Sequence, residues 1–214
     1  HEIDESLQQH GTRPLERLQR LGLVDPRLIA VHAVHLTPDE IAVLAASGAS
    51  VAHCPTSNMK LASGIAPVAA MLKQSLRVGL GTDGAASNNR LDLFREMRHA
   101  ALLAKAASGD ATVASAHEVL RMATLDGASA LGLDSEIGSL LPGKSADLCA
   151  VRLSDWLIQP CFDPASHLVY AAGREDVTHV WVAGELRVCD ATPTRVDPRE
   201  LLDITRIWHN ILCV

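Results

Sequence analysis

The stretch that most constrains the fold is Arg77-Val78-Gly79-Leu80-Gly81-Thr82-Asp83-Gly84-Ala85-Ala86-Ser87-Asn88-Asn89. It opens as a short apolar run with strand character, passes two glycines and delivers one carboxylate into a loop of small polar residues. In parallel α/β barrels the chemistry sits at the carboxyl ends of the strands, so an Asp just past an apolar run stands where a catalytic acid is expected. Taken alone, Asp83-Gly84 reads equally well as a simple turn. The segments before it decide between the two.

Leu28-Ile29-Ala30-Val31-His32 is an apolar run too short for a helix, bounded by Pro26 and a new helix start, and reads as a buried strand. Thr37-Pro38-Asp39-Glu40 is a capping box with Pro at the first helical position, so a helix runs from there to about Ser47 and Gly48 ends it. Ala49-Ser50-Val51-Ala52-His53 is a second short strand, followed by Cys54-Pro55, and a helix from Pro67 to about Gln74 leads into the Arg77–Gly81 strand. This alternation is the βα rhythm of a parallel sheet or barrel. Parallel neighbouring strands end on one side, so His32, His53 and Asp83 are placed to converge on one pocket. His35 lies in the loop beyond His32 and shares no helical face with it.

The remainder frames this core. Short helices are expected over Glu2–Gln9 and from Pro14, where Leu15, Leu18 and Leu21 form a stripe ending at Gly22. A long helix from about Leu91 to Ala107 carries Leu91, Phe94, Met97, Ala101 and Ala104 on one face. Ser115-Ala116-His117-Glu118 is a second capping box opening a helix to Ala123, and Asp126 is placed to cap a shorter one ending at Gly132. His99 and His117 fall on these helices and are assigned to structure. From Ile137 the sequence becomes turn-rich and strand-like, with a hairpin around Ala183-Gly184 and no strong helix, so a small β unit is expected. A helix from Pro198 to about Ile211 closes the chain. The expected units are 1–135 as barrel, 136–196 as a composite β unit and 197–214 as a C-terminal helix.

Composition bounds the partners. A net charge of −6 leaves no basic surplus for a phosphate backbone, and 48% apolar residues suit a globular core. No apolar run nears the ~20 residues that cross a bilayer, so neither nucleic acid nor a membrane is an expected partner. Cys54, Cys149, Cys161, Cys189 and Cys213 are odd in number, widely spaced and free of C-x-x-C, which suits reduced thiols in a cytoplasm. His1-Glu2-Ile3 lacks a signal-peptide pattern, and the chain reads as beginning mid-protein. His10, His167, His179 and His209 show no convergent partners and are assigned to surface or structure.

Several motifs, taken in order, carry a resemblance: Gly11-x-Arg13-Pro14-Leu15, Val31-His32, His53-Cys54-Pro55-x-Ser57-Asn58-x-Lys60-Leu61, Gly64-Ile65-Ala66-Pro67, Gly81 to Asn89, Met122-Ala123-Thr124, and Gly138-Ser139-x-x-Pro142-Gly143-Lys144-x-Ala146-Asp147-Leu148. The chain resembles the C-terminal half of an amidohydrolase-superfamily deaminase. The likeness is to the 5′-methylthioadenosine/S-adenosylhomocysteine deaminases, in the branch of the chlorohydrolases and guanine deaminases. It implies an α/β fold: the C-terminal part of a metal-dependent hydrolase (β/α)8 TIM-type barrel, strands 6 to 8, with a small β-sandwich-like unit.

The resemblance also implies a ligand set. The family holds its metal, a zinc, through a His-x-His pair on the first strand, a His on the fifth and an Asp on the eighth, and only the last position maps here, onto Asp83. The sixth-strand His that hydrogen-bonds the attacking water maps onto His32, and the seventh-strand His with its Ser/Asn loop maps onto His53, Ser57 and Asn58. The fifth-strand His-x-His-Glu is expected just before His1, which is itself not assigned as a ligand. Asn58 and Asn88, in loops at strand ends, are candidates for shaping the substrate pocket.

The implied reaction is hydrolytic deamination of 5′-substituted adenosines, with one divalent metal per full-length subunit, His32 and Asp83 as catalytic groups and Asp83 as metal ligand. The expected partners are a small purine nucleoside, the missing N-terminal half of the barrel and further copies in a homo-oligomer. Two alternatives stand beside it. One is a chlorohydrolase or guanine-type deaminase built on the same metal core. The other treats the chain by itself as a non-catalytic piece, because Asp83 alone cannot hold zinc.

Overall fold

The computed structural model describes residues 2–212; His1 and Cys213, both weighed above, lie outside them. Helices α1 (Glu2–His10) and α2 (Pro14–Arg20) precede three short strands, β1 (Ile29–Val31), β2 (Ser50–His53) and β3 (Arg77–Leu80). The strands form one parallel sheet in the order β1-β2-β3, with Ala30 beside Val51 and Val51 beside Val78. This is the expected run of consecutive barrel strands, with the carboxyl ends on one side.

Local chemistry fixes the connections. Between β1 and β2, α3 (Pro38–Ser47) starts at a complete capping box: Thr37 Oγ1 accepts from the Glu40 amide at 3.2 Å, and Glu40 Oε2 accepts from the Thr37 amide at 2.9 Å. Arg13 adds a two-pronged bond to the same Glu40 carboxylate, at 2.8 and 2.9 Å, which ties the start of α2 to the start of α3. Two helices, α4 (Pro55–Lys60) and α5 (Val68–Lys73), link β2 to β3. The first of them was not foreseen, although Pro55 stands at its first position, where Pro is favoured.

After β3 come α6 (Leu93–Ser108), α7 (Ala116–Met122) and α8 (Leu125–Ala130). Ser115 caps α7 as expected, with Glu118 closing the box. Asp126 does not cap α8: Thr124 is the N-cap residue, and the Asp126 carboxylate accepts from Arg121 at 2.8 Å. Strand β3 runs so close to α8 that a side chain on Gly79 would meet the Gly127 Cα at 2.9 Å. Ile41, Leu44, Val51, Met71, Val78, Ala101, Val119 and Met122 are sealed in one core between the sheet and its helices.

The second sheet is antiparallel, in the order β4-β5-β6-β7, from β4 (Leu148–Val151), β5 (Val177–Val182), β6 (Glu185–Cys189) and β7 (Thr192–Pro193). Ala183-Gly184 makes the expected two-residue hairpin, both residues left-handed at φ 52 and 78. Contrary to the expectation of a segment without a helix, α9 (Pro164–Tyr170) lies between β4 and β5. Asp163 caps it through bonds from the Ala165 and Ser166 amides, and buried Val169 joins the core of the parallel sheet. Asp163-Pro164 carried that start signal in the sequence. Helix α10 (Pro198–Leu212) ends the described chain with no buried residue. Among the described residues, no helix is long and apolar enough to cross a membrane.

Candidate active site

The tips of β1, β2 and β3 supply His32, His53 and Asp83. His32 follows β1 directly, and its amide still bonds Ala52 O at 2.9 Å, extending the ladder by one step. The backbone then turns left-handed, at φ 67, a conformation that costs a non-glycine residue energy and persists only where its surroundings impose it. Asp83, three residues past β3, is left-handed too, at φ 59. The two side chains meet, with His32 Nε2 at 3.7 Å from Asp83 Oδ2.

His32 is oriented from behind. Its Nδ1 lies 2.9 Å from Asn58 Oδ1, an atom that only accepts, so Nδ1 carries a hydrogen and Nε2 is the ring nitrogen turned toward Asp83. Asn58 is buried in α4, and its Nδ2 has no partner among the described residues.

Asp83 is held as a carboxylate. Oδ2 accepts from Ser57 Oγ at 2.6 Å and from Ser87 Oγ at 2.8 Å, and Oδ1 accepts from the Gly84 amide at 2.7 Å. Ser57 lowers its pKa most, followed by Ser87, the Gly84 amide and the neighbouring His32, and together they bring it down to about 2. Ser57 is therefore a fully buried buttress of Asp83 and not part of an open pocket wall.

His53 is 2% exposed, and burial, with His32 nearby, pushes its pKa down to about 4. It is a neutral imidazole near pH 7, and its buried Nδ1 has no partner among the described residues. A buried polar atom without a partner is uncommon in a native fold and is met by an ordered water, an ion or a further polar group.

Asn88 has a different part from the one expected. Its Nδ2 donates to Thr82 O at 2.8 Å and to Glu96 Oε1 at 2.7 Å, while Oδ1 accepts from the Arg90 and Leu91 amides, both at 3.3 Å. Buried and fully bonded, it shapes the site only through the loop it fixes. Glu96, a fully buried carboxylate on α6, was missed altogether. Besides Asn88 it accepts from the Thr56 amide at 3.0 Å, so it joins the first turn of α4 to the Asp83 loop. The available signal was an acid one position from Met97 on the apolar stripe of that helix. His99, read as structural, supports the same turn through Thr56 Oγ1 at 2.9 Å. Cys54 lies beneath; burial, then Asp83 and Glu96, raise its pKa to about 11, so it stays a thiol.

These residues offer one ionised carboxylate beside one oriented imidazole. Elsewhere, among the described residues, three metal-binding side chains do lie close together, but on the second sheet: His179, Cys189 and Asp190. That corrects the reading of His179 as a residue without convergent partners.

The sequence profile of the amidohydrolase family matches residues 1–187. The chain is 46% identical over 211 residues to the 5-methylthioadenosine/S-adenosylhomocysteine deaminase of Teredinibacter turnerae, covering 99% of this chain and 48% of that protein. It is 46% identical over 209 residues to the enzyme of the same description from Moorella thermoacetica, covering 97% of this chain and 49% of that protein. Among solved structures, an adenosine deaminase from Xanthomonas campestris with bound zinc superposes with a TM-score of 0.96 at 50% identity, covering 98% of this chain and 48% of that one. An atrazine chlorohydrolase from Arthrobacter aurescens complexed with zinc superposes with a TM-score of 0.90 at 30% identity, covering 96% and 46%. The chain thus spans about half the length of the relatives it matches. With the family's profile matching residues 1–187 of its 214, the chain belongs to the amidohydrolase family.

Proposed function

We propose that the whole protein is a zinc-dependent hydrolytic deaminase of 5′-substituted adenosines, methylthioadenosine and S-adenosylhomocysteine foremost, and that this chain contributes its sixth- to eighth-strand tips. The observation that carries the proposal is the meeting of His32 and Asp83 on the tips of parallel strands, both in left-handed backbone and both braced from behind. The similarity to deaminases of that substrate class supports the choice within the family.

The donor set fits one corner of a zinc site. Asp83 is ionised and its Oδ1 takes a single hydrogen bond, which leaves a lone pair for a cation, and the buried His53 Nδ1 has no partner among the described residues. When bound, zinc supplies Lewis acidity and lowers the pKa of a coordinated water toward about 7.

The chain's own residues do the rest. His32, its Nδ1–H held by Asn58 Oδ1, offers Nε2 to orient the attacking water. Asp83 accepts a proton at Oδ1 or Oδ2 when the nucleophile forms, while Ser57 and Ser87 hold it in place. The neutral imidazole of His53 is free to hydrogen-bond substrate from the middle strand.

A second reading concerns the chain by itself: a non-catalytic piece. It is favoured because Asp83 stands without a further close cluster of metal ligands among the described residues, and zinc needs three or four protein ligands. The test is a panel of methylthioadenosine, S-adenosylhomocysteine, guanine and a chlorotriazine, with ammonia and chloride release measured on the whole protein and on the isolated chain. Ammonia from the two adenosine derivatives on the whole protein, and no turnover by the chain alone, is the expected result. Release from guanine or the chlorotriazine only would contradict the substrate assignment.

A further inference from the structure

We propose a second metal site, separate from the Asp83 centre, formed by His179, Cys189 and Asp190 at the β6–β7 end of the antiparallel sheet, for a borderline-soft divalent ion of the zinc class. His179 on β5 and Cys189 on β6 stand one step along the ladder from the paired Val180 and Val188, so their side chains share a face. Asp190 is the next residue, and in a regular strand it would point to the opposite face. Here Asp190 and Ala191 form a two-residue turn into β7, left-handed at φ 46 and 60, and the turn swings the carboxylate back beside its neighbours.

The resulting distances are those of a preformed ligand triangle. Cys189 Sγ lies 3.8 Å from His179 Nε2 and 4.0 Å from Asp190 Oδ2, and His179 Nε2 lies 3.8 Å from Asp190 Oδ1. With Zn–S near 2.3 Å and Zn–N or Zn–O near 2.0 Å, ligands of a tetrahedral ion stand about 3.5 Å apart, so a contraction of a few tenths of an ångström closes the site.

An independent feature points the same way. Thr178 Oγ1 donates to Ala150 O at 3.3 Å, so it receives the hydrogen of His179 Nδ1, 3.1 Å away. That bond fixes the tautomer whose Nε2 lone pair faces Cys189 and Asp190, the arrangement that outer-shell partners impose on metal-binding histidines. Trp181 stacks on the His179 ring at 5.6 Å between centroids, 13° from parallel, and holds its plane. Thiolate, imidazole and carboxylate together select a zinc-like ion over calcium or magnesium, which take oxygen ligands. Binding releases the Cys189 Sγ proton to solvent and leaves the fourth position to water. Its structural effect is to clamp β5, β6 and the turn into β7.

Cobalt(II), titrated into the metal-free, reduced protein, reports the site through a thiolate-to-metal absorption band in the near ultraviolet. The expected band saturates with one cobalt bound at this site beyond any taken up at the Asp83 centre, disappears on adding zinc, and is absent in Cys189→Ser. Thr178→Val keeps the band but weakens binding about tenfold or more. Asp190→Asn, on an exposed turn where the change cannot unfold the core, also weakens binding. Asp83→Asn leaves the band unchanged, which separates this site from the catalytic proposal. No band in the unsubstituted protein, a band that persists in Cys189→Ser, or one that vanishes in Asp83→Asn would overturn the assignment.

Discussion

The two sheets differ in what each one buries. In the parallel sheet Val51 and Val78 are sealed beneath α5, α6 and α8, whereas none of the strand residues of β4 to β7 is buried. The apolar residues of α10, among them Leu201, Ile204, Trp208 and Ile211, are likewise exposed. One sheet carries its own core and, on top of it, side chains in costly left-handed backbone. The other is held by its ladder, its tight turns and, on the proposal above, an ion. A strained strand tip is sustainable only where packing over-determines it, which is why the candidate catalytic residues stand on the first sheet.

The sharpest way to break this contrast is to delete packing on each side. Met71→Ala, in the sealed core, is expected to cost about 2–5 kcal/mol, while Leu186→Ala, 37% exposed on β6, should cost under about 1 kcal/mol. Urea denaturation of both variants decides it; equal losses would mean that the second sheet hides a core of its own.

Next in size is the buried bridge between α4 and the Asp83 loop. Glu96→Ala leaves the Thr56 amide and the Asn88 amide group without their acceptor, at about 1–3 kcal/mol each. Glu96→Gln should cost less, since one of the two donors keeps its oxygen. A Glu96→Ala protein as stable as the parent would show the bridge to be unimportant.

The pH dependence of stability separates the sheets as well. His53 titrates near 6.5 when unfolded and near 4 when folded, so the unfolded chain takes up the proton first as pH falls. Its share of stability is complete above pH 6.5 and declines between 6.5 and 4, by up to about 3 kcal/mol. Asp83 follows in a lower window: its stabilisation is present above pH 3.8 and is lost as pH falls through about 2. Urea midpoints from pH 7.5 down to 4.5 should fall, and His53→Asn should remove most of that slope. A flat profile in the parent would contradict the neutral buried imidazole.

The smallest expected effect is at a helix start. Thr37→Ala removes half of the α3 capping box and should cost about 1 kcal/mol by thermal or urea unfolding.

How much of this was legible in the sequence follows from the range of each interaction. Thr37 and Ser115 act on residues three positions away, so their helices could be placed from the chain alone. The order of strand tips was legible because apolar runs ending in His32, His53 and Asp83 need no knowledge of packing. Glu96 was not, because its partners lie 40 residues before it and eight before it, and only the fold brings them together. The left-handed backbone at His32 and Asp83 was equally hidden: His and Asp are enriched in that conformation, but only a small fraction of either adopts it. His179, Cys189 and Asp190 meet only because a turn with no glycine re-aims one side chain. Helix α9 was a different kind of miss: its Asp163-Pro164 start was written in the sequence but set among strand-like segments.

The central claim is that the tips of β1 and β3 aim His32 and Asp83 at one reacting centre. The most direct measurement is ammonia release from methylthioadenosine by the whole protein, parent against Asp83→Asn, with bound zinc determined on the same samples. A loss of about a thousandfold or more in kcat/KM, together with lowered zinc content, is the predicted result. Activity and zinc both within a factor of about two of the parent would contradict it.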